Sequence, residues 1–384
     1  MRLRQPRNNG LLPISLPPLS CTPLVAVLVA NYNYAAYLAE SIDSVLHQSY
    51  ANFELVICDD GSTDGSRAIL DRYRAADPRI QTIFQENTGQ AAALNAAFKI
   101  SRGQIVCFLD SDDLYAPEKL ASITEAFAAV PSAGFLVHKL IRVDAARRRR
   151  LGEIPLAYAL PSGWLGASAP LDAPWLPPGM PPCSALCLRR EVAERIFPLP
   201  IGLRAFADTI IQALAPLITP VAALDRPLGQ YRIHGANAAA VSKLSKSHLR
   251  RLVDFDTELW RAWRAFLAAS SCKHPMPSEP PSTQNTYVYA RFRGDPAAKD
   301  VYRAFVSGPR FRGLPAMYRA FWRLSARLPD GMFRKAVKLV QGQRSAKLLL
   351  ARVLRRIRGT KDVQYAFDRP DQRACPKAGK SAGD

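Results

Sequence analysis

The sequence predicts an α/β fold, a mostly parallel sheet flanked by helices and followed by a basic helical region. Three observations support this prediction. Short apolar runs alternate with segments whose apolar residues recur at helical spacing, the pattern of a parallel sheet covered on both faces. Acidic residues cluster directly after two of these runs, at 59–64 and 110–113. The net charge of +20 over 384 residues is concentrated in the last third of the chain.

The first half of the chain alternates between predicted strands and helices. Apolar runs predict buried strands at 24–30, 53–58, 80–84 and 105–109. Helical spacing predicts four helices. The first covers 35–48, the second runs from a cap at Ser62 or Asp64 to about Ala76, the third covers 89–100, and the fourth runs from Pro117 to about Val130. Ligands of such sheets bind at the carboxyl ends of the strands, so both acidic clusters are expected at the ligand-binding edge.

The second half of the chain is less regular. Extended segments are predicted at 134–143 and 184–188, and helices at 191–196, 208–218 and beyond 240, with a linker-like stretch at 270–286. A basic turn at 147–150 precedes a Pro-rich stretch, 155–182, which we interpret as a long loop over the site. These patterns predict a flexible lead (1–22), an α/β domain (23–240), a helical basic region (241–360) and a disordered tail (361–384).

Charge and composition narrow the class of protein. Residues 1–240 hold 22 basic and 21 acidic side chains, whereas residues 241–384 hold 30 and 11, which suggests different roles for the two parts. No apolar stretch approaches the roughly 18 residues that span a bilayer, and the first twenty residues lack the apolar core of a secretory signal. Seven cysteines without Cys-x-x-Cys pairs favour reduced thiols and a cytoplasmic location.

Asp110-Ser111-Asp112-Asp113 is the strongest chemical signal in the sequence. Three carboxylates directly after an apolar strand repel one another unless a cation or hydrogen-bond donors neutralise them. Mg²⁺ and Mn²⁺ prefer such oxygen ligands and keep open positions for a diphosphate. The alternative is a solvated acidic turn before the next helix, but the position at a strand end favours a metal site.

A second acidic cluster, Asp59-Asp60-Gly61-Ser62-x-Asp64, follows the second predicted strand. Gly61 can adopt the left-handed conformation that a sharp strand exit requires. On its own this cluster could be no more than the cap of the next helix. Its expected position beside the first cluster indicates that the two belong to one site.

Four motifs, taken in order, resemble those of family 2 glycosyltransferases of the GT-A fold. They are Val29-Ala30-Asn31-Tyr32-Asn33, Asp59 to Asp64, Asn87-x-Gly89 with Asn95, and Phe108 to Asp113. The similarity spans roughly residues 24–237. It implies a Rossmann-like GT-A sheet and the inverting transfer of a sugar from a nucleoside-diphosphate sugar to a hydroxyl acceptor.

The resemblance also implies roles for individual residues. Eight residues match positions that bind the nucleotide in this family: Ala30, Tyr32, Asn33, Asp59, Asp60, Asn87, Asp110 and Ser111. One carboxylate of the Asp59-Asp60 pair is expected to hydrogen-bond the base; we favour Asp59, but the sequence does not separate the two. Asp112 matches the carboxylate that coordinates the Mn²⁺ or Mg²⁺ bridging the diphosphate, and Asp113 is expected to support the loop or the sugar.

The resemblance extends to a catalytic base and a closing motif. Inverting transfer needs a base that takes the proton of the acceptor hydroxyl, and Asp208 matches the family's Asp at a helix start, although Ala207 stands where a Glu is common. The alternative is that Asp208 only caps an apolar helix. In the motif Tyr231-Arg232-Ile233-His234-Gly235-x-Asn237, Arg232 or His234 could reach the diphosphate or the metal.

The basic region contains predicted amphipathic helices. Met332, Phe333, Ala336, Val337 and Val340 share a predicted face, and a second apolar stripe follows at 350–357. Basic amphipathic helices suit an anionic membrane surface. We therefore hypothesise peripheral attachment to the inner face of the cytoplasmic membrane, where lipid-linked acceptors would be found. The alternative is that these faces pack on the catalytic domain.

The sequence therefore predicts a metal-dependent glycosyltransferase of cell-surface polysaccharide or glycolipid synthesis, with a UDP-sugar as the favoured donor and a glycan or lipid-linked acceptor. Three alternatives stand beside it: a nucleotide-binding but inactive relative, a nucleotidyltransferase and a basic nucleic-acid-binding protein. The sequence contains no zinc spacing or aromatic-basic module for the last of these, so no nucleic acid is expected. A nucleotidyltransferase would need a Gly-rich loop where Asn31 to Tyr34 lies, and a dinucleotide-dependent oxidoreductase would need G-x-G-x-x-G.

Overall fold

A computed structural model describes residues 9–155, 159–234, 245–270, 279–308, 311–312, 314 and 316–341. Strands and helices alternate through the first half of the chain, and the predicted α/β class is confirmed. Three sequence predictions fall on residues outside this description: the tail at 361–384, the apolar stripe at 350–357, and the end of the closing motif at 235–237.

The first half of the chain forms a parallel sheet. Its strands are β1 (Val25–Asn31), β2 (Phe53–Asp59), β3 (Ile80–Phe84) and β4 (Ile105–Asp110), and its helices are α1 (Ala35–Leu46), α2 (Ser66–Ala76) and α3 (Gln90–Ile100). These four strands lie in the order β3-β2-β1-β4, and every pairing among them is parallel. Their carboxyl ends therefore meet at one edge, where Asn31 lies opposite Asp59 and Ala30 opposite Asp110.

The second half extends this sheet with mixed pairings. Its elements are β5 (Leu114–Tyr115), α4 (Lys119–Ala129), β6 (Phe135–Asp144), β7 (Arg150–Ile154), β8 (Leu186–Arg189), α5 (Arg190–Ile196), α6 (Asp208–Leu214) and β9 (Val221–Ile233). After β4 the order continues β8-β6-β9-β5, with β7 paired to β6. The β6–β9 pair is parallel, whereas β4–β8, β6–β8, β6–β7 and β5–β9 are antiparallel.

Helices cover both faces of the sheet, which explains why the inner strands are apolar at every position. In β1, Ala26 and Leu28 face one hydrophobic core, which includes residues of α3, α5, α6 and α7. Val25, Val27 and Val29 face a second core, which includes residues of α1, α2 and α4. A strand buried on both faces cannot show the alternation of polar and apolar residues typical of a half-exposed strand.

Two predicted helix boundaries differ from those observed. Helix α2 begins at Ser66 with Gly65 at the cap position, one residue after the predicted cap Asp64. Asp64 Oδ1 nevertheless accepts the Ser66 N–H at 3.0 Å, and its Oδ2 accepts the Ala35 N–H at 2.9 Å, which ties α1 to this turn. The helix predicted at 208–218 ends at 214 and continues as a 3₁₀ turn over 215–217, which contains a proline that cannot donate a helical hydrogen bond.

Beyond residue 240 the described chain is helical. Its helices are α7 (Lys246–Ala269), α8 (Gln284–Arg293), α9 (Ala298–Ser307), α10 (Ala316–Ser325) and α11 (Asp330–Gln341). Helix α7 buries Leu259, Trp263 and Leu267 in the core shared with the sheet. Thr283 starts α8 with a reciprocal capping box, three residues before the predicted end of the linker. None of the described helices has the length and apolar character of a membrane span.

Internal contacts divide the chain into residues 1–334 and 335–384. Within the first unit, α8 to α10 and the start of α11 pack around aromatic side chains. The Tyr287 ring lies 6.2 Å from the Trp322 ring and 5.5 Å from the Phe333 ring. Phe333 is fully buried, whereas the neighbouring Met332 is 58% exposed. At least part of the predicted amphipathic face therefore packs within the protein.

Candidate active site

A cavity of about 920 Å³ opens at the carboxyl ends of the parallel strands, within the size range of small-molecule sites. The predicted site residues that line it are Ala30, Tyr32, Asn33, Asp60, Asn87, Asp110, Ser111, Asp112 and Asp208. Met180, Pro181 and Pro182 form part of its wall. The end of the Pro-rich stretch therefore lies over the site.

Asp59 and Asp60 follow one another along the chain but have different surroundings. Asp59 Oδ1 accepts hydrogen bonds from Asn31 Nδ2 at 2.7 Å and from the Ser62 hydroxyl at 2.6 Å. These bonds hold the exits of β1 and β2 together. Asp60 lines the cavity, and its carboxylate accepts the N–H groups of Thr88 at 2.9 Å and Gly89 at 2.7 Å. The structure thus brings Asp60, rather than Asp59, to the cavity wall.

The acidic loop after β4 is fixed by hydrogen bonds to neighbouring segments. The Ser111 hydroxyl donates to the Ala30 carbonyl at 2.8 Å, which joins the exits of β4 and β1. The Ser184 hydroxyl accepts the Asp110 N–H at 3.0 Å and donates to Asp113 Oδ2 at 2.6 Å. Asp113 is fully buried and takes part in holding the loop.

The carboxylates of this loop repel one another. Burial, followed by the charges of Asp112 and Asp208, raises the pKa of Asp110 well above its usual range. Burial, followed by the charges of Asp112 and Asp110, does the same to the pKa of Asp113. The loop therefore concentrates negative charge in a poorly solvated place, and a bound cation would relieve the repulsion.

Asp112 and His234 meet at this loop although 122 residues separate them. His234 Nε2 lies 2.8 Å from Asp112 Oδ2, and the imidazole stacks on the Tyr37 ring at 4.6 Å. In the described part of the chain, no three His, Cys, Asp or Glu side chains are arranged to hold a metal ion by themselves. The pair nevertheless supplies one oxygen and one nitrogen ligand of types that Mn²⁺ accepts.

Arg232 lies behind this pair instead of facing the cavity. Its side chain is 2% exposed, and Nη2 donates to Glu40 Oε2 at 2.8 Å. Nε donates to the Asp112 carbonyl at 2.8 Å, and the Arg232 N–H donates to Asp113 Oδ1 at 2.9 Å. The arginine thus fixes the backbone of the acidic loop and keeps the strand that carries His234 against it.

Asp208 is the first residue of α6, with Ala207 at the cap position. Its Oδ2 accepts a hydrogen bond from Gln212 Nε2 at 3.2 Å, and the backbone N–H groups of Thr209 and Cys183 also stabilise the carboxylate. Burial raises the pKa of Asp208 to about 6. The carboxyl is close enough to Asp110 to raise the pKa of that group. The structure therefore brings the predicted base and the acidic loop to the same cavity.

Several residues that line the cavity were not predicted from the sequence: Tyr34, Tyr37, Gln90, Cys183, Arg204 and Gln212. Gln90 joins two parts of the site, because its side chain donates to Asp110 Oδ1 at 3.4 Å and accepts the Ala207 N–H at 3.1 Å. Arg204 donates from Nη2 to the Asn87 carbonyl at 3.3 Å. Neither residue belongs to a recognisable motif, and both reach the site only through long-range packing.

Comparisons with known proteins agree with this arrangement. Residues 26–197 match the family model described as glycosyl transferase family 2. An uncharacterized glycosyltransferase of Nostoc sp. is 37% identical over 223 residues, which cover 56% of this chain and 66% of the relative. Chondroitin synthase of Escherichia coli is 37% identical over 109 residues, 28% of this chain and 16% of its own length. This chain thus spans less than two thirds of either relative.

Among solved structures, S. aureus TarS 1-349 in complex with UDP-GlcNAc has a TM-score of 0.49 and 17% identity, over 83% of this chain and 82% of that one. The family match covers the four strand-exit motifs from Ala30 to Asp113. The match also covers every strand of the sheet except β9 and much of the cavity wall, whereas the wall residues 204–231, which include Asp208, lie beyond it. Residues 26–197 of this chain therefore form a domain of glycosyl transferase family 2.

Proposed function

We propose that this protein transfers a sugar, with inversion, from a nucleoside-diphosphate sugar to a hydroxyl acceptor in a metal-dependent reaction. One observation carries the proposal. Asp208, whose pKa is raised to about 6, shares a cavity with the acidic loop that contains Asp110 and Asp112. A carboxyl of this acidity opposite a cation-binding loop is the arrangement that displacement at a sugar carbon requires.

Asp112 lines the cavity, and its Oδ2 lies 2.8 Å from Nε2 of the adjacent His234, so this oxygen and nitrogen are the candidate ligands of a divalent cation. Mg²⁺ and Mn²⁺ take few protein ligands when a diphosphate supplies oxygens. When bound, such a cation would act as a Lewis acid that stabilises the charge of the departing diphosphate. Asp113 and Arg232 would keep the loop in place without touching the substrate.

Asp208 is the proposed general base. As the bond between the sugar carbon and the diphosphate oxygen breaks, the acceptor oxygen forms its bond to that carbon and releases its proton to the Asp208 carboxylate. A pKa of about 6 leaves the group ionised at neutral pH and makes it a stronger proton acceptor than an exposed aspartate. The hydrogen bond from Gln212 orients the carboxylate.

We further propose that the donor's nucleotide lies along the exits of β1 to β3, against Tyr32, Asn33, Asp60 and Asn87, with a UDP-sugar as the favoured donor. These residues line the cavity, and Tyr32 is 44% exposed. The name of the Escherichia coli relative, chondroitin synthase, supports a glycan product. Cell-surface polysaccharide or glycolipid is accordingly the proposed product class, made on the inner face of the cytoplasmic membrane.

The test is release of nucleoside diphosphate by the purified protein from a panel of nucleotide sugars, with and without Mn²⁺. We expect release from one donor that requires the metal and is lost in Asp112→Ala. Asp208→Asn should retain metal-dependent donor binding, measured by calorimetry, while losing transfer. Transfer at the normal rate by Asp208→Asn would exclude this residue as the base. Donor binding without turnover in the unaltered protein, tested with acceptors, would favour an inactive relative.

A further inference from the structure

We propose that the turn between β6 and β7, residues 145–149, binds anionic groups of the acceptor. The acceptor would then be a chain that carries phosphate or carboxylate groups, and not a neutral glycan. That this anionic ligand is the acceptor rests on the proposed function. The basic residues at 147–150 lie outside the cavity wall, and no motif of the family resemblance includes them.

The turn lies at the same edge of the sheet as the cavity. Strand β8 is antiparallel to both β4 and β6, so β6 runs in the same direction as β4. The carboxyl end of β6 therefore lies at the edge where the parallel strands end, and 145–149 follow it directly. Strand β9 is parallel to β6 and pairs Ile233 with Asp144, so His234 and the turn follow the ends of neighbouring strands.

Hydrogen bonds join the turn to the acidic loop through Arg232. Its Nη1 donates to the Ala145 carbonyl at 3.0 Å, and its Nε donates to the Asp112 carbonyl at 2.8 Å. Glu40 Oε2 lies 2.8 Å from Arg232 Nη2 and 3.0 Å from Arg147 Nε, so one carboxylate holds both arginines. A single residue thus links the turn to Asp112, and a ligand bound to the turn would lie beside the cavity.

Hydrogen bonds also fix the backbone of the turn. Asp144 Oδ1 accepts the N–H groups of Arg148 at 2.8 Å and of Arg149 at 3.3 Å. The Arg147 N–H donates to the Asp144 carbonyl at 2.9 Å, and the Asp144 N–H donates to the Arg149 carbonyl at 3.2 Å. Arg147 has φ +56°, a left-handed conformation that is uncommon for residues other than glycine. Because this backbone is already ordered, binding of a ligand does not have to order it.

The hairpin carries an excess of positive charge. Residues 139–154 contain six basic and two acidic side chains. Three of these basic side chains have a carboxylate partner among the described residues: Lys139, Arg147 and Arg150. Arg148 and Arg149 are exposed, and their side chains have no hydrogen bond or ion pair with any described residue. These two guanidinium groups can therefore bind an anion, and guanidinium pairs its N–H groups with phosphate or carboxylate oxygens.

A buried arginine adds to this positive charge. Arg142 is 4% exposed, and its Nη2 donates to the Leu151 carbonyl. Its Nε and Nη1 have no hydrogen-bond partner within the described chain. The charge of Arg142, three residues before the turn, is therefore not neutralised by a carboxylate of the hairpin. Uncompensated positive charge raises the local potential and attracts anions to this surface.

An anionic chain fits the turn better than a lipid surface does. Basic segments that bind membranes place large apolar side chains in the lipid. Among the described residues, no exposed large apolar side chain lies in 139–154. A chain with phosphate or carboxylate groups needs only the charges, and binding at this edge would keep it beside the cavity that Asp208 lines.

The experiment measures binding of fluorescently labelled oligomers to the full chain by anisotropy, at about 0.1 M salt so that charge attraction persists. The probes are an oligomer of galacturonic acid, an oligomer of glycerol phosphate, and neutral maltohexaose. We expect at least one anionic oligomer to bind and the neutral one not to bind. Arg148→Gln combined with Arg149→Gln should weaken that binding about fivefold or more, because two exposed ion pairs are lost.

The matched control removes the same charge at the opposite edge of the sheet. Arg102 and Arg195 are exposed; Arg102 precedes β4, and α5, which contains Arg195, begins where β8 ends. Arg102→Gln combined with Arg195→Gln should change the binding by less than about twofold. Metal-dependent binding of nucleoside diphosphate should be unchanged in both double variants, because none of the four arginines lines the cavity.

Equal weakening by the two double variants would show attraction to net charge alone and would overturn the inference. Absence of binding by both anionic oligomers would also overturn it. An effect of the turn variant on anionic vesicles alone would assign the turn to a membrane surface instead. In each of these cases, metal-dependent nucleotide binding that is lost in Asp112→Ala would leave the proposed function standing.

Absence of nucleotide binding by the unaltered protein would contradict the proposed function, and with it the assignment of the anion as an acceptor. Thermal unfolding of each variant, compared with the unaltered protein, identifies a variant that has simply lost its fold.

Discussion

The chemical role of each carboxyl group in the candidate site depends on how burial changes its pKa. Asp208 has its pKa raised to about 6, and the pKa values of Asp110 and Asp113 are raised further by burial and by their neighbours' charges. A proton on one of these groups, or a cation among them, relieves their repulsion. Catalysis and stability are therefore both expected to vary with pH.

The first prediction concerns the rate. Asp208 accepts a proton only when ionised, so kcat/KM should fall as the pH drops below about 6. Initial rates from pH 5 to 8, with the metal held constant, would show the transition. Asp208→Asn should lower the rate by about 10²- to 10³-fold at pH 7 to 8 and should remove the transition, so its deficit should shrink towards pH 5. An unaltered protein whose rate is flat over these pH values would contradict the assignment.

The second prediction concerns stability. The pKa of Asp208 is higher in the folded than in the unfolded state, so stability is greatest below the unfolded value and declines as the pH rises towards 6. Asp208→Asn should therefore raise the free energy of unfolding at pH 7 by about 1–2 kcal/mol. This value is smaller than the full pKa shift would give, because solvent partly reaches the side chain. Urea denaturation at pH 7 and at pH 4 measures it, and the gain should vanish at the lower pH.

The third prediction concerns Gln90, which links Asp110 to the backbone of Ala207. Gln90→Met keeps the volume of the side chain but removes both bonds, so Asp208 should lose its fixed orientation. We expect kcat to fall about tenfold, with little change in the donor's KM. The control is Gln81→Met on β3, whose side chain bonds Glu54 outside the cavity wall. A change in KM alone would assign Gln90 to donor binding.

Among the elements, helix α3 supports the segment that leads to the proposed base. Asn95 Nδ2 donates to the Leu199 carbonyl at 2.8 Å, and Asn95 Oδ1 accepts the Leu199 N–H at 2.7 Å. At the start of the helix, the Gln90 N–H donates to the Arg204 carbonyl. The family motif that includes Gly89 and Asn95 thus has a structural role, because it fixes residues 199–207 and with them the start of α6.

The fourth prediction tests how closely the backbone of Gly89 packs against Arg204. Gly89 has φ +110° and a side-chain carbon there would lie 2.6 Å from Arg204 Cα, whereas Gly163 has φ +81° and open space around it. Gly163→Ala should cost about 1 kcal/mol from the backbone conformation alone. Gly89→Ala should cost at least about 1 kcal/mol more, because the clash is with backbone. Chemical denaturation of both variants compares them; equal costs would show that the approach is not tight.

The whole molecule joins a nearly neutral α/β domain to a basic helical region. Helix α7 shares the hydrophobic core of the sheet through Trp263, whose Nε1 donates to the Leu171 carbonyl at 3.3 Å. Further along the chain, Leu324 and Met332 are 61% and 58% exposed, close in sequence to exposed arginines at 323, 327 and 334. Exposed apolar side chains among arginines are the combination that binds an anionic membrane surface.

The fifth prediction is that the full chain floats with vesicles that contain anionic lipid at about 0.1 M salt and not with neutral vesicles. The binding should weaken strongly at about 0.5 M salt, because charge attraction is screened. Replacing Leu324 and Met332 together by Ser should reduce it. Equal recovery with neutral and anionic vesicles, or none with either, would contradict peripheral attachment through the basic region.

Elements that carry a strong, short-range sequence pattern could be predicted from the sequence. The apolar runs from Val25, Phe53 and Ile105 predict strands because burial on both faces demands continuous apolar residues. The acidic clusters that follow two of these strands predict the site, since parallel strands bring their carboxyl ends to one edge. At α2 the predicted cap Asp64 lies one residue before the observed cap position, and it bonds both the Ser66 N–H and the Ala35 N–H, a partner 29 residues away.

Local patterns in the sequence were enough to predict the α/β class, the family motifs and the meeting of the two acidic clusters at one edge of the sheet, because parallel strands bring their carboxyl ends together. The strand order, the approach of Asp208 to that edge and the position of Asp60 rather than Asp59 in the cavity wall follow from tertiary packing. It also decided which cationic and amide side chains reach the site, since those contacts join segments more than one hundred residues apart. Such contacts depend on how elements pack, and no local pattern of residues encodes them.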